Sequence, residues 1–571
     1  MQEHIVETKQ CKSCGVMFHI TDKDMGFYDK VSPIFGGKKY QIPSPKLCPD
    51  CRQQRRYSWR NQRTLYRRIC DFSWQSLIAM FPPDVIFPVY HNKYRRSNEN
   101  DPLQFGQEFV SNVSFLEQYL QLQKKVPRFH RYSYAEDRMI NSEYTHCTWD
   151  LKDCYLVFAT SDAERSHYSD YLTHSNDCLD VLLCEWCTQC YQCVDIENCY
   201  NVMYSNSCID CKDSYWLDDC INCTNCIGCV GLRNQQYSIL NTAYTKEEYE
   251  KKKGEIIDNK WIFAKDFLSL YNKLYLNVPK KYMHGNNNDR VVWDFINNSK
   301  NVSYGYDIKN SEDIKYCAHF NSGKSCMDFS SRWEAELCYE ISGGWENMYK
   351  SIFCVMSFGC TNSAYCDFCF YCHDCFGCVG LTNKQYCILN KQYTKEEYEE
   401  LVPKVIERMI IDWQRWEFFP ISVSIFGYNA SLAQEYFPLV PETAKKKWYP
   451  RIDKEYPLNI PENAKKIFAK DIPMDIKDVS DDILDTIIIC EVTAKPYRII
   501  KQELDFYRKH TIPLPRKHPD QRYLERFNSK NPRKLRDRNC MKCWIDIKTS
   551  YSPDKKEIVY CETCYNHEIY G

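Results

Sequence analysis

From Ser142 to Leu232, every third residue is Ser, Thr, Ala, Cys, Val, Ile or Leu: 31 positions, 13 of them cysteine and none charged. Neither common element keeps that beat, because an α-helix repeats every 3.6 residues and a flat strand every 2. Short extended segments joined by tight corners do keep it, with one small residue per triplet aimed inward. The corner residues that this geometry needs are present in "ENC", "DDC", "INC" and "IGC", where Asn, Asp or Gly precedes the inward cysteine. The pattern predicts a parallel β-solenoid. Cysteines recur at 190, 199 and 208 and again at 211, 220 and 229, which suggests coils built from multiples of nine residues. A second stretch has the same period from Ser299 to Gly344, with Arg332 as its single charged intruder. After a one-residue slip, the period runs on from Met348 to Leu381.

The ladder thiols have two readings. Cysteine packs as a small buried hydrophobe, and Val181, Ile196, Val202, Ser205, Ser214 and Leu217 stand in register with it. That interchange favours a core. Thiols are nonetheless dense at Cys184 to Cys193, Cys220 to Cys229 and Cys366 to Cys378, so a metal-storing or redox protein is the alternative. Ferredoxin-type runs end in x3-C-P, and that ending is missing here.

Two internal duplications organise the chain. "CIGCVGLRNQQYSILNTAYTKEEYE" at 226 and "CFGCVGLTNKQYCILNKQYTKEEYE" at 375 are identical at 19 of 25 positions, so the solenoid occurs twice. Each copy closes on a capping box, Thr245 with Glu248 and Thr394 with Glu397, predicting a helix over the end of the array. The two termini form the second pair. "CKSCGVMFHITDKDMGFYDK", "CPDCRQQRR" and "LYRRIC" match "CEVTAKPYRIIKQELDFYRK", "HPDQRYLER" and "KLRDRNC" in order and spacing.

Each terminal module has two candidate four-ligand sites and keeps a different one. Cys11, Cys14, Cys48 and Cys51 are intact in the N-terminal copy, where the other site reads Cys70, Ser73, His91 and Tyr94. In the C-terminal copy Cys540, Cys543, Cys561 and Cys564 are intact, and the other reads Cys490, Thr493, His518 and Gln521. Two C-x-x-C pairs, 17 residues apart at the C-terminus and 33 at the N-terminus, suit tetrahedral zinc with no open position, a structural and not a catalytic site. About two zinc ions per chain are expected.

Directly after Cys51 comes "RQQRRYSWRNQRTLYRR", seven arginines in 17 residues. Arg52, Arg56, Arg60, Arg63 and Arg67 fall at helical spacing, with Tyr57, Trp59 and Tyr66 among them. A helix with such a stripe could hold phosphates and stack on unpaired bases of RNA or single-stranded DNA. The C-terminal copy keeps Arg516, Lys517, Arg522, Arg526, Arg533, Lys534, Arg536 and Arg538. The competing reading pairs these arginines with acids of the same module, such as Asp22, Asp24 and Glu503.

The fold class expected is mainly β with peripheral α: a duplicated Cys-rich parallel β-solenoid flanked by two small zinc-ribbon modules. The boundaries read as an N-terminal module at 1–97, a helical connector at 98–138 and solenoid copies at 139–260 and 296–404 around a linker at 261–295. An irregular Pro- and aromatic-rich segment follows at 405–485, then the C-terminal module at 486–571. The formal net charge of -1 leaves attraction to nucleic acid to local patches. No basic-apolar leader and no long apolar run occurs, so a cytoplasmic protein without a membrane partner is expected. P-loop, G-x-G-x-x-G, G-x-S-x-G and H-E-x-x-H are all missing, and no catalytic set can be named.

The text "FYDK...CPDCRQQRR...RNQRTLYRR", "CVGLTNKQYCILNKQYTKEEYE", "EFFPISVSIFGYNASLAQEYFPL" and "TSYSPDKKEIVYCETCYN" resembles an uncharacterised family of zinc-ribbon, Cys-rich repeat proteins from small-genome bacterial candidate phyla. The resemblance spans nearly the whole chain and implies zinc binding. Some similar sequences have a CaiB/BaiF-type CoA-transferase name, which implies an enzyme, but the Gly-rich loops that such an enzyme needs are missing. At His518 and Gln521 the chain departs from the "CPDC" of that pattern.

Overall fold

A computed structural model of the chain describes residues 3–133, 136–258, 264–330, 335–343, 348–412, 416–456 and 460–570. It divides into two compact units, one of Met1–Arg131 with Met283–Glu455 and the other of Tyr132–Tyr282 with Tyr456–Gly571. The N-terminal module therefore belongs with the second solenoid copy, and the C-terminal module with the first. The segment expected to be irregular is split between them at Glu455.

Both solenoids are parallel, as the triplet pattern predicts. Their coil is twelve residues, not a multiple of nine: Val194 pairs with Asn206, Ile196 with Cys208 and Cys375 with Cys387. Twelve residues make four triplets, hence four corners per turn. At nearly every corner among the described residues the residue before the inward one is left-handed, as at Asn198 (φ 52°), Asp219 (φ 52°) and Asn222 (φ 53°). A left-handed residue costs roughly 1–2 kcal/mol, and least for Asn, Asp and Gly. Coil-to-coil hydrogen bonds offset that cost, such as Asn198 N to Glu185 O at 3.0 Å and Thr188 N to Cys199 O at 3.0 Å. The one-residue slip is a thirteen-residue coil, with Ala335 opposite Met348 and Ser342 opposite Val355 before Tyr349 meets Thr361. Arg332 and Gly344 lie outside the described residues.

The ladder forms the core. Thirteen cysteines fill the interior of the first copy and eleven that of the second, together with the Val, Ile, Leu, Ala, Phe and Met of the same register. The inward side chains also satisfy the backbone. Ser175 Oγ donates to Thr173 O at 2.9 Å and accepts from Cys187 N at 3.1 Å; Cys187 Sγ donates to Glu185 O at 3.2 Å and accepts from Cys199 N at 3.4 Å. Serine and cysteine interchange because each is small and each both donates and accepts. Many inward thiols also point at the backbone carbonyl nine residues on, whatever residue stands there, as Cys190 does at Cys199 O (3.7 Å), Cys211 at Cys220 O (3.5 Å) and Cys187 at Ile196 O (3.7 Å).

Helices Lys246–Asp258 and Lys395–Ile411 start at the expected capping boxes. Tyr249 packs on Ile227 and Ile239 of the first copy, while Tyr398, Val402, Val405, Ile406 and Met409 are buried in the second copy's counterpart. The expected linker at 261–295 is largely regular, with helix Lys265–Asn277 and strand Asp289–Asn297. The two modules share one order of elements. Hairpin Ile5–Thr21, helices Asp22–Val31 and Pro49–Ser58, and hairpin Tyr66–Ala79 correspond to strands Ile487–Tyr497, helices Lys501–Lys509 and Pro519–Ser529, and hairpin Arg536–Thr549.

Candidate metal centres

Four turns of the two modules share one backbone design. In the first, Gly15 N donates to Cys11 O at 2.9 Å and Cys11 N to Val16 O at 2.9 Å; the turns at Cys70, Cys490 and Cys540 repeat both bonds. The left-handed residue closing each turn is Gly15, Trp74, Ala494 or Trp544. A second chain segment brings an N–H to the first sulfur of each: Cys48 N to Cys11 at 3.3 Å, His91 N to Cys70 at 3.3 Å and Cys561 N to Cys540 at 3.2 Å.

Only two of the four turns gather a full ligand set among the described residues. Cys11, Cys14, Cys48 and Cys51 bring four sulfurs within 4.8 Å of one another, and so do Cys540, Cys543, Cys561 and Cys564. Each set could hold a metal ion. Cys48 and Cys561 also occupy the N-cap positions of helices Pro49–Ser58 and Glu562–Ile569, without a side-chain cap bond. The Cys48 thiol is lowered to about 5, chiefly by its hydrogen bond with Cys51. Burial works against ionisation of Cys540, yet backbone N–H donors from Cys543 and Cys561 take it down to about 6.

At the other two turns a histidine has replaced the third ligand and has a different task. His91 Nδ1 accepts from Lys93 N at 3.2 Å, and His518 Nδ1 accepts from Asp520 N at 3.1 Å. Each caps the helix that the N-cap cysteine begins at the intact sites. The ladder thiols differ again. Among the described residues they form no further set of three or more ligand atoms within 4.8 Å; burial pushes Cys154 up to about 12, while hydrogen bonds with Cys184 and Cys190 take Cys178 down to about 6.

The structure corrects the arginine stripe. Helix Pro49–Ser58 ends before Arg60, so Arg60, Arg63 and Arg67 do not continue its face, and Arg67 lies on strand Tyr66–Ile69. Arg52, Arg56, Tyr57, Trp59 and Arg60 are buried, Arg63 is half-buried, and Arg67 is exposed. Arg52 Nε and Arg56 Nη1 donate to the two oxygens of Asp328 at 2.9 and 2.8 Å. The Arg52 guanidinium also lies 4.9 Å over the Tyr316 ring. Burial alone would lower the Arg52 pKa, but the Asp328 charge holds it well above the ordinary value. Trp59 packs on Phe418 and Phe419, and Tyr57 on Tyr436 and Phe437.

The other unit repeats the arrangement. Arg522 and Arg526 reach the two oxygens of Asp180, the latter at 2.9 Å, and Arg522 lies 4.6 Å over Tyr168. Asp180 and Asp328, like Tyr168 and Tyr316, occupy equivalent positions of the two solenoid copies. Sequence reasoning missed these acceptors and proposed acids within the module instead. Of those, Asp24 pairs with solenoid residue Lys315 at 2.8 Å, and Glu503 accepts a hydrogen bond from Tyr168 of the solenoid. The available signal was the joint duplication: an arginine pair four residues apart in both modules and an aspartate at one corner of both solenoids.

No protein-family model matches the chain, and no curated protein matches it. Among solved structures, a "putative acetyltransferase from Desulfovibrio desulfuricans G20" aligns with 46% of this chain and 74% of its own at 10% identity. Its TM-score of 0.11 carries no argument. No helix among the described residues is long and apolar enough to cross a membrane.

Proposed function

We propose that this chain is a non-enzymatic, zinc-braced scaffold that binds single-stranded nucleic acid. The observation that carries the zinc assignment is sulfur spacing. Cys14 and Cys48 stand 3.6 Å apart and Cys543 and Cys561 3.7 Å apart, close to the ~3.8 Å edge of a tetrahedron with Zn–S near ~2.3 Å. Four thiolates fill the coordination sphere, so the ion braces the fold and leaves no position for substrate. The buried arginine pairs support the scaffold reading, since each fixes a module on a solenoid. They also remove the stripe as a nucleic-acid surface, so binding falls to basic side chains that remain exposed. Ladder thiols bonded to carbonyls give little support to metal storage or redox work. Metal analysis of the purified protein is expected to give about two zinc per chain. Several more metals, or iron, would replace this reading with the ladder-based one.

A further inference from the structure

Among the described residues four tryptophans are more than half exposed on left-handed backbone: Trp186, whose ring stacks on His174 at 4.1 Å, and Trp74, Trp448 and Trp544, with 79%, 84% and 76% of their area exposed and φ of 60°, 58° and 65°. Their electrostatic surroundings differ. Beside Trp544, Lys542 is tied to Glu568 at 2.7 Å and Lys548 to Asp537 at 2.7 Å. Beside Trp74, Arg68 is tied to Asp71 at 2.8 Å. Trp448 instead follows Lys445, Lys446 and Lys447, all exposed. Asp453 takes up Lys445 at 3.3 Å, while Lys446 and Lys447 form no ion pair among the described residues.

The segment is a local turn that lies near the first metal turn. Trp448 N donates to Lys445 O at 3.0 Å and Tyr449 N to Ala444 O at 3.1 Å. Tyr449 stacks on Tyr428 at 5.4 Å, and its hydroxyl lies near Ser13, which stands between ligands Cys11 and Cys14. Lys12, the neighbour of Ser13, is exposed. The indole face thus follows Lys446 and Lys447 and lies near the turn that holds Lys12, with its stacking surface presented to solvent.

Resting on the nucleic-acid reading above, we infer that Lys445–Trp448, beside the Cys11–Cys14 turn, is the site at which this unit binds a single strand. Trp448 stacks on one unpaired base, and Lys446, Lys447 and Lys12 neutralise the flanking phosphates. A duplex keeps its bases stacked on one another, so it can use the lysines but not the indole.

Fluorescence anisotropy of labelled oligouridine with the zinc-loaded full chain, at two salt concentrations, tests this. Trp448→Ala is expected to weaken binding 5- to 150-fold, from about 1–3 kcal/mol per stacked base, with the salt slope unchanged. Lys446→Gln with Lys447→Gln is expected to reduce the slope by roughly 1.4, about 0.7 per phosphate contact. Trp544→Ala, equally exposed, is expected to have no effect. Zinc content and circular dichroism confirm that each variant is folded. If the intact protein binds and the Trp448 and lysine variants bind equally well at both salts, the site is wrong and the nucleic-acid reading stands. If the intact protein fails to bind at low salt, or prefers duplex to single strand, the reading or its single-strand form falls and takes the site with it.

Discussion

Arg56 and Asp328 are 272 positions apart in the chain and meet at 2.8 Å with neither side chain exposed. Arg52 takes the other oxygen of the same carboxylate, and the second unit repeats the three-residue lock with Arg522, Arg526 and Asp180. Desolvating these charges works against folding; the doubly paired carboxylate and the extra bonds of Arg52 to Leu47 O and Arg526 to Tyr168 O offset it.

Removing the shared acceptor should therefore be severe. Asp328→Ala leaves two buried guanidinium groups without a counter-charge, and a loss of about 3–5 kcal/mol is expected in urea unfolding. Asp180→Ala should do the same to the transition of the other unit. The exposed Asp29–Lys39 pair, at a comparable 2.7 Å, sets the contrast: Asp29→Ala should cost about 0–1 kcal/mol. Equal effects would mean that the lock is no more than a surface ion pair.

A second expectation concerns the complementary loss of ligands. Cys561→Ser removes one of the four sulfurs of its set, so it should release one zinc and unfold the C-terminal module. Cys490→Ser alters a turn whose partner segment is capped by His518 Nδ1, and zinc content should stay at its wild-type value. Equal loss of metal from both variants would show that the degraded site is still occupied.

The ladder gives a third. Cys187→Ser keeps a donor for Glu185 O and an acceptor for Cys199 N, two of the bonds that Cys187 makes and whose counterparts Ser175 makes one coil earlier. Cys187→Val packs but leaves the Cys199 N–H unpaired in the core, at about 1–3 kcal/mol. Serine should thus be the milder change in thermal unfolding. The opposite order would mean that the interior selects for apolar bulk alone.

How far the sequence could be read follows from the range of each interaction. The ligand sets were legible because a metal turn is local and its four-residue spacing is written in adjacent residues. The triplet was legible for the same reason, since Asn198 and Cys199 make a corner by themselves. The number of corners per coil was not: nine and twelve are both multiples of three, and only the pairing of Ile196 with Cys208 decides between them. The arginine stripe failed for a related reason. A guanidinium fork suits a carboxylate as well as a phosphate, and nothing near Arg52 indicates that its partner is a corner aspartate far along the chain.

The last expectation is a pH dependence placed in the second unit. Glu503 is buried, accepts from the Tyr168 hydroxyl and from Ile500 N at 3.3 Å, and has the Tyr507 hydroxyl at 3.4 Å. Burial raises its pKa from the ordinary 4.5 to about 7, with Arg522 pulling it down and Asp180 pushing it up. A raised acid favours the neutral form in the folded state, so its contribution is complete below about 4.5 and is lost as pH rises through about 7. The urea midpoint of this unit should therefore be lower at pH 8 than at pH 5. Glu503→Gln holds the position neutral at every pH and keeps an oxygen for the Tyr168 hydroxyl, so its midpoint should vary less between the two pH values and exceed that of the wild type at pH 8. An unchanged slope in that variant would assign the pH dependence to another group.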